Sequence, residues 1–197
     1  MLPEEEEFPY TVRVVSETME SNGSSSMGST CGSTLALMDA GVPIRKPVGG
    51  IAMGIASNGG KWKILTDIQD LEDGPGGMDF KFTGTRDGLT AIQMDTKTRG
   101  LSKDIVHATF PQMRKALNDI LDNIQAAIPE PRKELSKYAP RIISFKIDPE
   151  KIGDVIGPGG KIIRSITDEL DLKIDINDDG LVMITTDNAE NGAEAEK

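Results

Sequence analysis

Three prolines within the twelve residues Pro129–Pro140 (PEPRKELSKYAP) limit how this chain can fold more than any other feature. Proline fixes its own φ, lacks an N–H, and pushes the residue before it out of helical conformation. Neither a helix nor an inner strand runs through such a stretch. The patterns on either side read as two separately cored units, residues 1–128 and 141–197, joined by a linker at 129–140.

In the first part, Thr11–Ser16 (TVRVVS) is β-branched and predicts a strand, followed by a polar loop at Glu17–Ser26. A helix is predicted from about Met27 to Ala40, with Met27, Cys31, Leu35 and Met38 on one face and Gly41 as its C-terminal cap. Strands are predicted at Val48–Ile55, Lys61–Thr66, Phe80–Gly84 and Leu89–Asp95. Between the second and third lies a long, acidic, glycine-rich loop, Asp67–Met78, of the kind that is more often functional than idle. Ser102 suits the cap of a helix running to about Ile128, in which Pro111 either makes a kink or starts a second helix. Beyond the linker the order is strand Arg141–Ile147, short helix Pro149–Val155, turn Gly157–Gly160, helix Lys161–Leu170, and strands Lys173–Ile176 and Leu181–Thr186. The polar end, Asp187–Lys197, reads as frayed or as the start of a further helix. The fold class is α+β.

Charge narrows the function. The net charge is −10; residues 1–139 carry 15 basic and 19 acidic side chains, and residues 140–197 carry 7 and 13. Neither half offers the basic face of a broad electrostatic nucleic-acid binder, so RNA recognition would depend on local geometry and a few placed cations. The one histidine, His107, is too little for a histidine zinc site or a Ser-His pair and reads as a helix-surface residue. The one cysteine, Cys31, forms no internal disulfide, which points to a reducing cytosol. No apolar run is long enough to span a membrane, and the four glutamates within Met1–Glu7 are unlike a secretory leader.

Three local patterns carry chemistry. Asn22-Gly23-Ser24-Ser25-Ser26 precedes a helix, whose unpaired N–H groups and dipole suit a small oxyanion such as phosphate, with the hydroxyls as further donors. The same residues also suit a flexible loop with Ser26 as N-cap. Asp79 and Lys81 share one face of a strand, and Asp73 can fold back toward them. Two carboxylates make a hard oxygen pocket for Mg2+ or Mn2+, and a lysine balances charge on phosphate oxygens; a solvated loop followed by a surface ion pair is the alternative. Gln93, Asp95 and Lys97 repeat the alternation and read as structural or supporting. Finally, Ile156-Gly157-Pro158-Gly159-Gly160-Lys161-Ile162-Ile163-Arg164 joins two short helices in a β-α-α-β-β order. A GxxG turn in that setting is the KH signature for gripping a short single strand of RNA, with Lys161 and Arg164 as its cations. A purely structural tight turn is the other reading.

Taken together, these stretches resemble the polynucleotide phosphorylase family. Phe8–Pro43 (FPYTVRVVSETMESNGSSSMGSTCGSTLALMDAGVP), Gly76–Lys97 (GGMDFKFTGTRDGLTAIQMDTK) and Glu134–Ile142 (ELSKYAPRI) are similar to its second catalytic repeat and the segment after it. Asp148–Thr167 (DPEKIGDVIGPGGKIIRSIT) is similar to its KH domain. The resemblance implies an incomplete RNase PH-like (ribosomal protein S5 domain 2-like) α/β domain followed by a KH domain truncated at its last helix. By position, Ser24, Ser25 and Ser26 fall on the phosphate-binding loop, and Asp73, Asp79 and Lys81 on the catalytic positions, the two aspartates also holding metal. Gly157, Pro158, Gly159 and Gly160 fall on the RNA-gripping turn. Family members use inorganic phosphate to attack the 3′ end of single-stranded RNA, releasing nucleoside diphosphates, and also run the reaction backwards; they are trimeric. The family pattern usually has another acidic residue where this chain has Gly77. The first repeat, the opening of the second with its arginines and histidine, and the terminal OB-fold are absent from the match. An inactive fragment that only binds RNA through its KH part is therefore the competing expectation.

Overall fold

The computed structural model describes residues 1–4, 7–136 and 138–197. The chain divides into two compact units, Met1–Glu134 and Leu135–Lys197.

In the first unit, helix α1 (Ser25–Ala40) precedes strands β1 (Gly49–Asn58) and β2 (Lys61–Thr66). Strands β3 (Met78–Gly84) and β4 (Leu89–Thr96) follow, and then the long helix α2 (Lys103–Ala127). The strands form one antiparallel sheet in the order β2-β1-β3-β4. Alternation sorts its two faces. Ile51, Met53 and Ile55 of β1 and Met78, Phe80 and Phe82 of β3 form a buried core with Met113, Leu117 and Leu121 of α2. On the opposite face the β1 residues are small: Gly50, Ala52 and Gly54. That lets α1 lie close, and a Cβ on Gly50 would sit 3.0 Å from Met27 Sδ and 3.2 Å from Thr30 Cβ.

Several expectations change. Thr11–Ser16 is not a strand: among the described residues it joins no ladder, and Val14 and Val15 are exposed. Its β-branched pattern is compatible with a sheet, but the sheet has β2 and β4 as its edges and neither pairs with it. Ser26 is not the N-cap; α1 begins at Ser25, two residues before the predicted start, with Ser24 as its cap. Thr34, not Leu35, completes the buried face of α1, because its hydroxyl donates to the Val48 carbonyl at 2.6 Å and so enters the interior satisfied. Pro111 lies inside a single helix. Pro111 and His107 are both exposed, so the carbonyl that loses its intrahelical donor is on the solvent side. Ser102 accepts from the Ile105 N–H as the α2 cap.

In the second unit, β5 (Arg141–Lys146), α3 (Ile152–Ile156), α4 (Lys161–Leu170), β6 (Lys173–Ile176), β7 (Leu181–Thr186) and α5 (Ala189–Ala195) follow in order. The antiparallel sheet runs β5-β7-β6, and Val182, Ile184 and Thr186 of the central strand are buried. Residues 149–151 form a single 3-10 turn before α3, so the predicted helix is split. The polar end is helical, with Asn188 Oδ1 accepting from the Glu190 and Asn191 N–H groups. Among the described residues no helix is long and apolar enough to cross a membrane.

Candidate functional site

The serine loop and the acidic loop meet through a glycine. Gly23 adopts φ +113°, and a Cβ there would lie 2.4 Å from the Ile68 carbonyl oxygen. Only glycine permits that approach. The contact is sealed by the Asp70 N–H donating to the Asn22 carbonyl at 3.2 Å. Ser24 is left-handed, with φ 48°, and its buried hydroxyl has no partner among the described residues. Ser25 and Ser26 occupy the first turn of α1, where amide N–H groups lack intrahelical acceptors.

The acidic side is built by β3. Its alternation sends Phe80 and Phe82 into the core and Asp79 and Lys81 to the α1 face, where they stand opposite Asp95 and Gln93 of β4. Asp79 is 7% exposed. Its Oδ2 forms an ion pair with Lys81 Nζ at 2.8 Å, and its Oδ1 is buried with no partner among the described residues. An unpaired buried carboxylate oxygen is costly, so its presence calls for an occupant that satisfies it. Residues 70–73 form a 3-10 turn, with Glu72 accepting from the Gln69 N–H at 2.8 Å. Asp73 is held by Lys97, whose ammonium donates to the Asp73 carbonyl at 2.6 Å and to Oδ1 at 2.7 Å. That hydrogen bond holds the Lys97 pKa above the usual lysine value.

Ser24, Ser25, Ser26, Asp73, Asp79 and Lys81 therefore line one pocket of about 330 Å³. The two motifs are separated in sequence, and the fold brings them together. Asp95 and Gln93 stand beside this group on the neighbouring strand, and His107 is an exposed residue of α2. A larger cleft of about 600 Å³ lies between residues 14–25 and the outer face of α1; among the described residues its charged lining groups are Glu17 and Glu20, which do not suit a phosphate. Sequence reading underrated Lys97. It lies 24 residues from Asp73, and no periodicity links the two.

In the second unit the glycine turn sits between α3 and α4. Gly157, Gly159 and Gly160 have φ of 70°, 61° and 75°, a conformation that side chains resist. A Cβ on Gly157 would lie 2.5 Å from Ile162 Cγ1. Pro158, Gly159 and Lys161 are exposed, so the turn and the start of α4 face solvent. Arg164 folds back and donates to the Gly159 carbonyl, while Lys161 has no ion pair among the described residues. Exposed Ile156 and Ile162 flank the turn.

Comparison with known proteins shows what the chain is similar to. Residues 142–197 match the KH domain family. The polyribonucleotide nucleotidyltransferase of Roseiflexus castenholzii is 60% identical over 190 residues, which is 96% of this chain and 26% of that protein. That of Moorella thermoacetica is 56% identical over the full 197 residues, again 26% of its length. That of Dictyoglomus thermophilum is 53% identical over 195 residues, 28% of its length. The chain spans about a quarter of the length of the curated relatives it matches, and it belongs, with its C-terminal KH domain, to the polyribonucleotide nucleotidyltransferase family.

Proposed function

We propose that this chain carries part of the catalytic site of a phosphorolytic exoribonuclease that shortens single-stranded RNA from its 3′ end. The observation that carries the reading is the meeting of the serine loop with Asp79 and Lys81 in one pocket. The Ser25 and Ser26 amides and hydroxyls hold inorganic phosphate at the α1 N-terminus. Lys81 offsets the charge that builds on the phosphate oxygens.

An oxygen of that phosphate attacks the phosphorus of the last internucleotide linkage. The bond from this phosphorus to the 3′ oxygen of the preceding nucleotide breaks. That oxygen takes up a proton, balancing the one the attacking phosphate gives up, and the terminal residue leaves as a nucleoside diphosphate. The same groups serve polymerisation when nucleoside diphosphates are abundant.

Mg2+ or Mn2+ fits the residues present. Asp79 offers a buried oxygen with no partner among the described residues, and Asp73 a second carboxylate lining the same pocket. Among the described residues no three acidic, histidine or cysteine side chains cluster for a metal. A cation held by one or two carboxylates, with water and phosphate completing its shell, is the usual arrangement for Mg2+. When bound, it supplies charge neutralisation at the phosphoryl group.

The Gly157–Gly160 turn grips the single strand, with Lys161 beside the phosphodiester. By family resemblance, the parent protein is a cytoplasmic homotrimer in which residues 1–128 belong to the second RNase PH-like repeat and 129–140 link it to the KH domain. The reading is tested by incubating the full-length parent with oligoadenylate, phosphate and Mg2+. ADP that requires phosphate is the expected product; AMP, or no nucleotide, contradicts it.

A further inference from the structure

The acidic loop reaches the pocket because its far end is tied down by one residue. Lys97, directly after β4, makes four hydrogen bonds to it. Its ammonium donates to the Asp73 carbonyl and to Asp73 Oδ1, its carbonyl accepts from the Gly76 N–H at 3.2 Å, and its N–H donates to the Gly77 carbonyl at 3.1 Å. The loop between these points is wound tightly. The Gly77 N–H donates to the Gly74 carbonyl at 2.9 Å, and a Cβ on Gly77 would lie 2.5 Å from the Glu72 carbonyl oxygen and 2.8 Å from that of Gly74. No side chain fits at position 77 in this conformation, so an acidic residue there would unwind the loop. Glu72 is engaged in capping Gln69. The direction of Asp73 thus depends on the clamp.

We propose that Lys97 is a positioning residue for the divalent-cation site: by holding Asp73 through both its main-chain and side-chain oxygens, it fixes the acidic loop so that Asp73 faces the pocket shared with Asp79. The inference rests on the cation reading of that pocket. The Lys97 side chain is 40% exposed, and its ammonium also lies 3.8 Å from Asp95 Oδ2, a looser contact than the 2.7 Å to Asp73 Oδ1.

Two effects of removing Lys97 oppose each other, which makes the role testable. Simple electrostatics says that deleting a positive charge beside two carboxylates tightens cation binding. Loss of positioning weakens it, and removing a partner that orients a metal ligand typically costs about ten- to a hundredfold in affinity.

The experiment uses the whole 197-residue chain. Mn2+ binding is titrated by the electron paramagnetic resonance signal of free Mn2+, for wild type, Lys97→Met, Lys97→Arg and Asp79→Asn. Amide hydrogen exchange of residues 70–77 is measured without metal. Lys97→Met is expected to speed exchange in that segment and to weaken Mn2+ binding about tenfold or more. Lys97→Arg, which keeps a cation with several donors, is expected to restore most of both. Mn2+ binding by Lys97→Met that equals or exceeds wild type, or unchanged exchange, overturns the positioning role. If Asp79→Asn binds Mn2+ like wild type, or wild type does not bind it saturably, the cation reading fails and the inference fails with it. Loss in Asp79→Asn without loss in Lys97→Met overturns the role of Lys97 alone.

Discussion

Lys81 Nζ sits 2.8 Å from Asp79 Oδ2 across one turn of the β3 pleat, with the two side chains 18% and 10% exposed. The pair is nearly out of water, and Asp79 Oδ1 has no partner among the described residues. Removing half of such a pair strands a buried charge, which is far more costly than never having formed it. Lys81→Met is expected to lower the unfolding free energy by about 2–4 kcal/mol in urea titration. The double variant Asp79→Asn/Lys81→Met should lose clearly less than the sum of the singles. Additive losses would show that the two groups do not interact.

Ser25 and Ser26 add neutral donors at the α1 N-terminus, so their loss should fall on phosphate and not on RNA. Replacing both with alanine in the full-length parent removes two hydrogen bonds of about 1 kcal/mol each. The KM for phosphate should rise roughly tenfold or more, with the KM for oligoadenylate little changed. Equal rises for both substrates would place the phosphate elsewhere.

The glycine turn of the KH unit presents few cations, so RNA binding should weaken only gently as salt rises. Asp at positions 158 and 159 places two carboxylates where the phosphodiester approaches and leaves the apolar side chains of α4 untouched. Titration of the whole chain with labelled single-stranded RNA should show affinity reduced about tenfold or more, a size set by introduced like-charge contacts. Undiminished affinity in a folded double variant would make the turn purely structural.

Cys31 gives the pH dependence. Burial pushes its thiol above the usual value of 9.0, against the lowering effect of the Gly50 N–H donating to the sulfur at 3.3 Å. The folded thiol therefore keeps its proton longer than the unfolded one. Stability should fall as pH rises from near 9.0 through the folded value, because the unfolded chain ionises first. At pH 8 iodoacetamide should label the folded chain much more slowly than the urea-unfolded chain, by about tenfold or more given the scarcity of thiolate. Equal rates would mean that the thiol is neither shielded nor shifted.

How much of this was legible in the sequence follows from which residues carry periodic signals. The third strand and α2 are readable because apolar and polar residues alternate from Phe80 to Thr83 and Ser102 is a true cap, although β3 starts two residues earlier, at Met78. Thr11–Ser16 misleads because β-branching signals compatibility with a sheet but not the presence of a partner strand. Leu35 outranks Thr34 in hydropathy, yet Thr34 is buried because Val48 satisfies its hydroxyl. Within the site, the Asp79–Lys81 relation is local and visible in the strand alternation. The Lys97 clamp on Asp73 and the approach of Gly23 to Ile68 are long-range contacts that only the assembled sheet creates.

The central claim is that Asp79, Lys81 and the serine loop form one phosphorolytic site, and it is tested most directly by Asp79→Asn in the full-length parent. The quantity to measure is phosphate-dependent ADP release from a short oligoadenylate with Mg2+, alongside RNA binding by the same protein. The account predicts that ADP release falls by about a hundredfold or more, the scale of losing a principal electrostatic group, while RNA affinity stays within about twofold because the KH turn is untouched. Near-normal ADP release by Asp79→Asn would contradict it.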